Sequence, residues 1–309
     1  MAAEDPVPRW RTNVSAEVER DYDLRAAFPD YAEFFSDWSA RSEAVRREFK
    51  PQLEVPYGTG ALERLDIFAA RGSSRPLLVY IHGGYWRAMD KSQFSFIAPA
   101  LVASDIPVAL VNYTLCPQCS MSAIVAQVRA ACLWLADNAP RFGARRGELH
   151  LVGWSAGAHL AAMMAATQWP RANGGAPVCT IKSVLAISGI YDLHPIRRAS
   201  ANEDLRMDEA EAQAVSPLFM TPDPATRIGI VYGALETAAF RKQSQTLANR
   251  WAVESVLELP GRHHYAAMDE IAVANSQVLH LARELAGAAP EATLSAPRRY
   301  ASTPPKRPA

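Results

Sequence analysis

The sequence predicts an α/β domain with a mostly parallel central sheet and helices on both faces. Short, largely apolar runs such as 77–81 and 181–188 suit strands buried on both sides. These runs alternate along the chain with segments of helical spacing, the pattern of strand–helix–strand units. One run, 149–152, leads straight into Gly153-Trp154-Ser155-Ala156-Gly157, which opens a helix of small residues.

Taken in order, residues 15–50 intersperse Tyr22, Phe28, Tyr31, Phe34, Phe35 and Trp38 among charges, as one or two short amphipathic helices would. Pro51 and Pro56 then break the pattern. Strands are expected at 62–68, where apolar residues alternate, at 77–81, which ends in His82-Gly83-Gly84, and at 106–113. Ile124, Val128, Ala131 and Leu135 give 122–138 a helical face. After strand 149–152, the small apolar stretch 156–167 suits a helix packed closely on a sheet. Buried strands follow at 181–188, 227–232 and 255–259, with helices at 239–253 and 268–285. The polar segment 202–213 reads as a short solvated helix in the excursion after strand 181–188, a position where lids also occur. The domain reading is a helical region 1–50 packed on a catalytic domain 51–288, followed by a disordered, Pro-, Ala- and Arg-rich tail at 289–309.

Composition narrows the function classes. A chain of 309 residues can form one large α/β domain. Lys+Arg and Asp+Glu total 32 each, so neither nucleic acid nor an anionic membrane is an expected partner. The N-terminus lacks the apolar core of a secretory signal and no run is long enough to span a bilayer, so the expected compartment is the cytoplasm. Cys116-Pro117-Gln118-Cys119 has C-x-x-C spacing but no second pair to complete a zinc site. These cysteines, with Cys132 and Cys179, read as structural, and no metal is expected.

The chemistry begins at Ser155. A Gly-x-Ser-x-Gly turn between strand and helix pushes a serine hydroxyl out over the sheet, and the helix from Ala156 points its positive end at the reaction centre. Upstream, His82-Gly83-Gly84-Tyr85-Trp86 ends a strand with adjacent glycines, whose N–H groups can approach a tetrahedral oxyanion unobstructed. Gly83, Gly84 and the N–H of Ala156 form the expected oxyanion hole, and His82 suits a structural hydrogen bond. A serine hydroxyl needs a base, which this fold places near the C-terminus after the acid. His263 and His264 lie after the last strand; His264 is preferred because it precedes an aromatic residue at the start of the final helix. His150, His159, His194 and His280 read as structural. Glu236, just after strand 227–232, is the expected acid, with Asp192 as its rival. Tyr85, Trp86 and Trp154 are candidate pocket walls, with packing of the loop as the plainer role for the first two.

Together these motifs indicate the α/β-hydrolase fold. His82-Gly-Gly-Tyr-Trp86, Gly-x-Ser155-x-Gly and the segment from Gly233 to Ser244 resemble the kynurenine formamidase (arylformamidase) branch of these hydrolases, over about residues 20–285. The resemblance implies a triad of Ser155, Glu236 and His264 and hydrolysis of an N-formyl aryl amide or a small ester. Two residues depart from the branch: Trp154 stands where a histidine is frequent, and Glu236 where the animal and fungal enzymes have aspartate. A broad short-chain carboxylesterase and a non-catalytic ligand-binding hydrolase fold are the alternative readings. The expected partner is a small-molecule ester or amide; no cofactor is implied, and the oligomeric state, a homodimer included, is left open.

Overall fold

The alternating strands and helices gather into one twisted layer. The computed structural model describes residue 10 and residues 13–287, apart from 71–76, 172, 174 and 254. Among these, the strands are β1 (Gln52–Pro56), β2 (Arg64–Phe68), β3 (Leu77–Ile81), β4 (Val108–Val111), β5 (Glu148–Trp154), β6 (Thr180–Ile187), β7 (Arg227–Gly233) and β8 (Ser255–Leu259). They form a single sheet in the order β1-β2-β4-β3-β5-β6-β7-β8. From β4 through β8 every pairing is parallel, and β2 and β1 extend one edge antiparallel. Every residue of β3 and β4 is buried, which is why these strands read as unbroken apolar runs. The sequence reading missed β1, an edge strand whose residues are mostly exposed and show no alternation.

The helices are α1 (Ala16–Tyr22), α2 (Leu24–Ala27), α3 (Tyr31–Phe49), α4 (Ala98–Val102), α5 (Met121–Asn138), α6 (Ala156–Ala165), α7 (Asn202–Leu205), α8 (Glu209–Ala214), α9 (Ala238–Arg250), α10 (His264–Asp269) and α11 (Gln277–Leu285). The N-terminal region thus holds three helices rather than one or two. Ser15 caps the first through Val18 N–H, and Asp23 caps the second through the N–H groups of Arg25 and Ala26. α3 docks on the domain through Trp38, which is fully buried and donates its indole N–H to Asp269 at 3.2 Å. The expected helix over 268–285 is broken, because the Ser276 hydroxyl accepts Leu279 N–H and starts a new helix there. The expected single helix at 202–213 is also two, parted where Arg206 turns left-handed. The segment 289–309 lies outside the described residues.

Two histidines of this core make stability pH-dependent. His159 on α6 accepts the Trp86 indole N–H at Nδ1 (3.2 Å) and donates from Nε2 to the Val215 carbonyl (2.6 Å), so its ring is neutral. Burial pushes the His159 imidazole down to about 4 and that of His150, on β5, to about 3. Unfolding lets both take a proton near pH 6.5, so this stability is present above about 6.5 and drains as pH falls toward the folded values. The expected result is a loss on the order of a few kcal/mol between about pH 7 and 5, above most carboxylate titration. Urea midpoints that stay constant across that window would contradict it.

Candidate active site

Ligands of open α/β sheets sit beyond the carboxyl ends of the parallel strands. The predicted site residues lie there: Gly83 and Gly84 after β3, Ser155 after β5, Glu236 after β7, and His264 after β8. Ser155 has φ 57° and ψ −119°, a strained conformation for a non-glycine residue, and its N–H donates to the Ile187 carbonyl at 2.8 Å. The turn closes this tightly because position 157 is glycine; a Cβ there would lie 1.9 Å from the Ile81 carbonyl oxygen.

Glu236 is buried between the ends of β6 and β7. Its Oε1 accepts two hydrogen bonds, from the Ser188 hydroxyl (2.5 Å) and from Gly233 N–H (2.7 Å). Its Oε2 faces His264 Nδ1 at 3.5 Å, a long contact of the kind that tightens in substrate complexes. His264 is 1% exposed, and its Nε2 is buried without a hydrogen-bond partner among the described residues. The imidazole is caged by Phe240, Trp154 and Tyr265, with ring centroids 4.8, 5.0 and 5.4 Å away. Trp154 ties this ring to the nucleophile's turn, since it precedes Ser155 and donates its indole N–H to the His264 carbonyl at 3.1 Å.

The rival residues are engaged elsewhere. His263 Nε2 meets Asp30 at 3.2 Å, its ring stacks on Phe28 at 4.9 Å, and its Nδ1 caps α10. Asp192 accepts both the backbone N–H and the imidazole Nδ1–H of His194, at 3.0 and 2.7 Å.

On the oxyanion side, Gly84 has φ +103° and its carbonyl accepts the N–H groups of Arg87 and Ala88, which closes a tight turn. The N–H groups of Gly83, Gly84 and Ala156 are not spent in the described backbone hydrogen bonds. Ala156 opens α6, where the first N–H groups have no partner within the helix. His82 lies behind this loop, 2.7 Å from the Gly83 carbonyl and 3.1 Å from Asn112 Oδ1.

Burial changes the reading of the three aromatics. Trp86 is fully buried with its N–H on His159, and Trp154 is 2% exposed, so neither forms an open pocket wall. Tyr85 is half-buried and donates its hydroxyl to the Tyr22 carbonyl at 2.7 Å. That bond is one of several by which α1 and its N-cap are held against the loops around the site. Thr237 donates to the Asp21 carbonyl, Gln243 to the Tyr22 hydroxyl, and Ser15 N–H to the Arg198 carbonyl. Sequence reasoning missed Tyr22, Ser188 and Gln243; their partners lie tens to hundreds of residues away and leave no local pattern. The thiols of Cys116 and Cys119 are free and donate to the carbonyls of Cys119 and Thr114, and burial pushes the Cys116 thiol up to about 12.

Comparison with known proteins adds a second line. The BD-FAE family profile matches residues 65–251. The chain is 31% identical to a kynurenine formamidase of Salmo salar, over 80% of this chain and 85% of that one. It is 34% identical to a kynurenine formamidase of Danio rerio, over 66% and 70%. A solved structure of a thioesterase candidate from Silicibacter sp. tm1040 superposes with a TM-score of 0.77 at 29% identity, covering 86% of this chain and 98% of that one.

Proposed function

The chain belongs to the BD-FAE family and to the kynurenine formamidase-like branch of the α/β-hydrolases, and from that membership we propose that Ser155, Glu236 and His264 drive hydrolysis of a small acyl substrate. It is an enzyme that hydrolyses an ester or formyl-amide bond. In the proposed reaction Ser155 Oγ attacks the carbonyl carbon while His264 Nε2 takes its proton. The N–H groups of Gly83, Gly84 and Ala156 hold the oxygen that becomes negative. As the tetrahedral adduct collapses, His264 returns the proton to the leaving amine or alcohol and an acyl-serine remains. Water then attacks with His264 again as base, releasing the acid and restoring Ser155. Glu236 orients the imidazole and stabilises its protonated form.

One observation carries this reading. Glu236 Oε1 is held by two donors and Oε2 faces Nδ1, which leaves Nε2 of His264 as a buried, unpartnered nitrogen tied through Trp154 to the strained serine. Ser155, Glu236 and His264 are only 2%, 4% and 1% exposed, a covered setting that favours a small acyl group. Among the described residues no helix is long and apolar enough to cross a membrane, and the four cysteines are free. Free thiols suit a reducing compartment and support the cytoplasm as the place of action.

The test is a comparison of kcat/KM on N-formylkynurenine and on p-nitrophenyl esters of increasing acyl length. The formamide is expected to exceed p-nitrophenyl butyrate by roughly tenfold or more, since added methylenes must fit a closed acyl site. The reverse order would make the chain a short-chain carboxylesterase.

A further inference from the structure

Ser188 sits where the site's two halves meet. It follows the last residue of β6, and its N–H donates to the Val231 carbonyl of β7 at 2.7 Å. The carbonyl of the preceding residue, Ile187, accepts the Ser155 N–H at 2.8 Å. Residues 187 and 188 therefore touch the nucleophile's backbone on one side and the acid on the other. Ser188 is fully buried with φ 54°, a left-handed turn that aims its hydroxyl at Glu236 Oε1, 2.5 Å away. Gly233 N–H, at 2.7 Å, shares that oxygen.

We infer that Ser188 is a positioning residue for the proposed reaction, fixing the Glu236 carboxylate so that Oε2 is presented to His264. A carboxylate can turn about its last bond, and one donor on Oε1 leaves that rotation soft. Two donors arriving from different strands fix the plane and occupy one oxygen, which leaves the other for the imidazole. A hydrogen bond to an ionised group also keeps that group ionised. The loop after β6 thus serves the acid with a hydroxyl, while its own carboxylate, Asp192, pairs with His194.

This inference rests on the assignment of Glu236 as the acid, and the test separates the two. Ser188→Ala and Ser188→Gly are compared with wild type on p-nitrophenyl acetate; glycine is at ease at φ 54°, so it removes the hydroxyl without backbone cost. Both are expected to lower kcat by roughly tenfold or more, the scale of one hydrogen bond to a charged group, with KM within about twofold. In a Glu236→Ala background, Ser188→Ala should add less than about a twofold further loss. Folded Ser188 variants with wild-type kcat would overturn the inference, as would an equal loss in both backgrounds. Wild-type turnover by Glu236→Ala alone would instead remove the acid assignment, and Ser188's role with it.

Discussion

Ser155→Ala is expected to lower kcat/KM on any accepted ester or formamide by roughly four orders of magnitude or more, because the bond-forming atom is gone. Its unfolding midpoint should stay near wild type. Alanine keeps the same Cβ in the same turn at φ 57°, and the Ser155 N–H bond to the Ile187 carbonyl is a backbone contact. A rate measured at saturating p-nitrophenyl acetate, with labelling by a fluorophosphonate probe, checks both the loss and its cause. Residual turnover above about one hundredth of wild type would mean another nucleophile, since a unit of this kind fails when its attacking member is removed.

Gly84→Ala should also give a large loss. An added Cβ would lie 2.1 Å from the Ala88 carbonyl oxygen, and φ +103° is a conformation that side chains rarely adopt. The turn closed by the Gly84 carbonyl on Arg87 and Ala88 must therefore open, displacing the N–H groups proposed to receive the oxyanion. Losing one such donor costs about 10²–10³ in kcat, and the backbone strain about 1–3 kcal/mol of stability. Steady-state kinetics and a thermal melt of the same preparation measure the two together. A variant that melts lower yet turns over normally would show that the loop's N–H groups do not hold the oxyanion.

How far the residues foretold the fold depended on burial. β3 falls at the bounds read from the sequence, and β5, β6 and β7 within a few residues, because strands near the centre of a sheet must be apolar throughout. β8 also falls at its expected bounds, but it is an edge strand with Val256 and Glu258 exposed, not the buried strand expected there. β1 escaped because an edge strand with one open side has little composition to mark it. The helix expected at 268–285 failed at Ser276, where a hydroxyl competing for backbone N–H groups restarts the winding. In the site, the elbow and the glycine pair were legible as short-range motifs. The burial of Trp86 and Trp154 was not, because it depends on His159 and His264, 73 and 110 residues away in the chain. Ser188 carried no signal at all, since a serine after a strand is ordinary until a carboxylate from the next loop is seen beside it.

The long-range contacts of the first helices also bear on the order in which the molecule assembles. Trp38 finds Asp269 across 231 residues, Thr237 finds Asp21 across 216, and Gln243 finds Tyr22 across 221. These contacts therefore form only once residues 237–269 have been made. Such long closures are slow to form, and until they do Phe34 and Phe35 lack the rings of His263 and Tyr265 that they meet in the folded chain. During synthesis these first helices depend on residues 237–269 for part of their shelter.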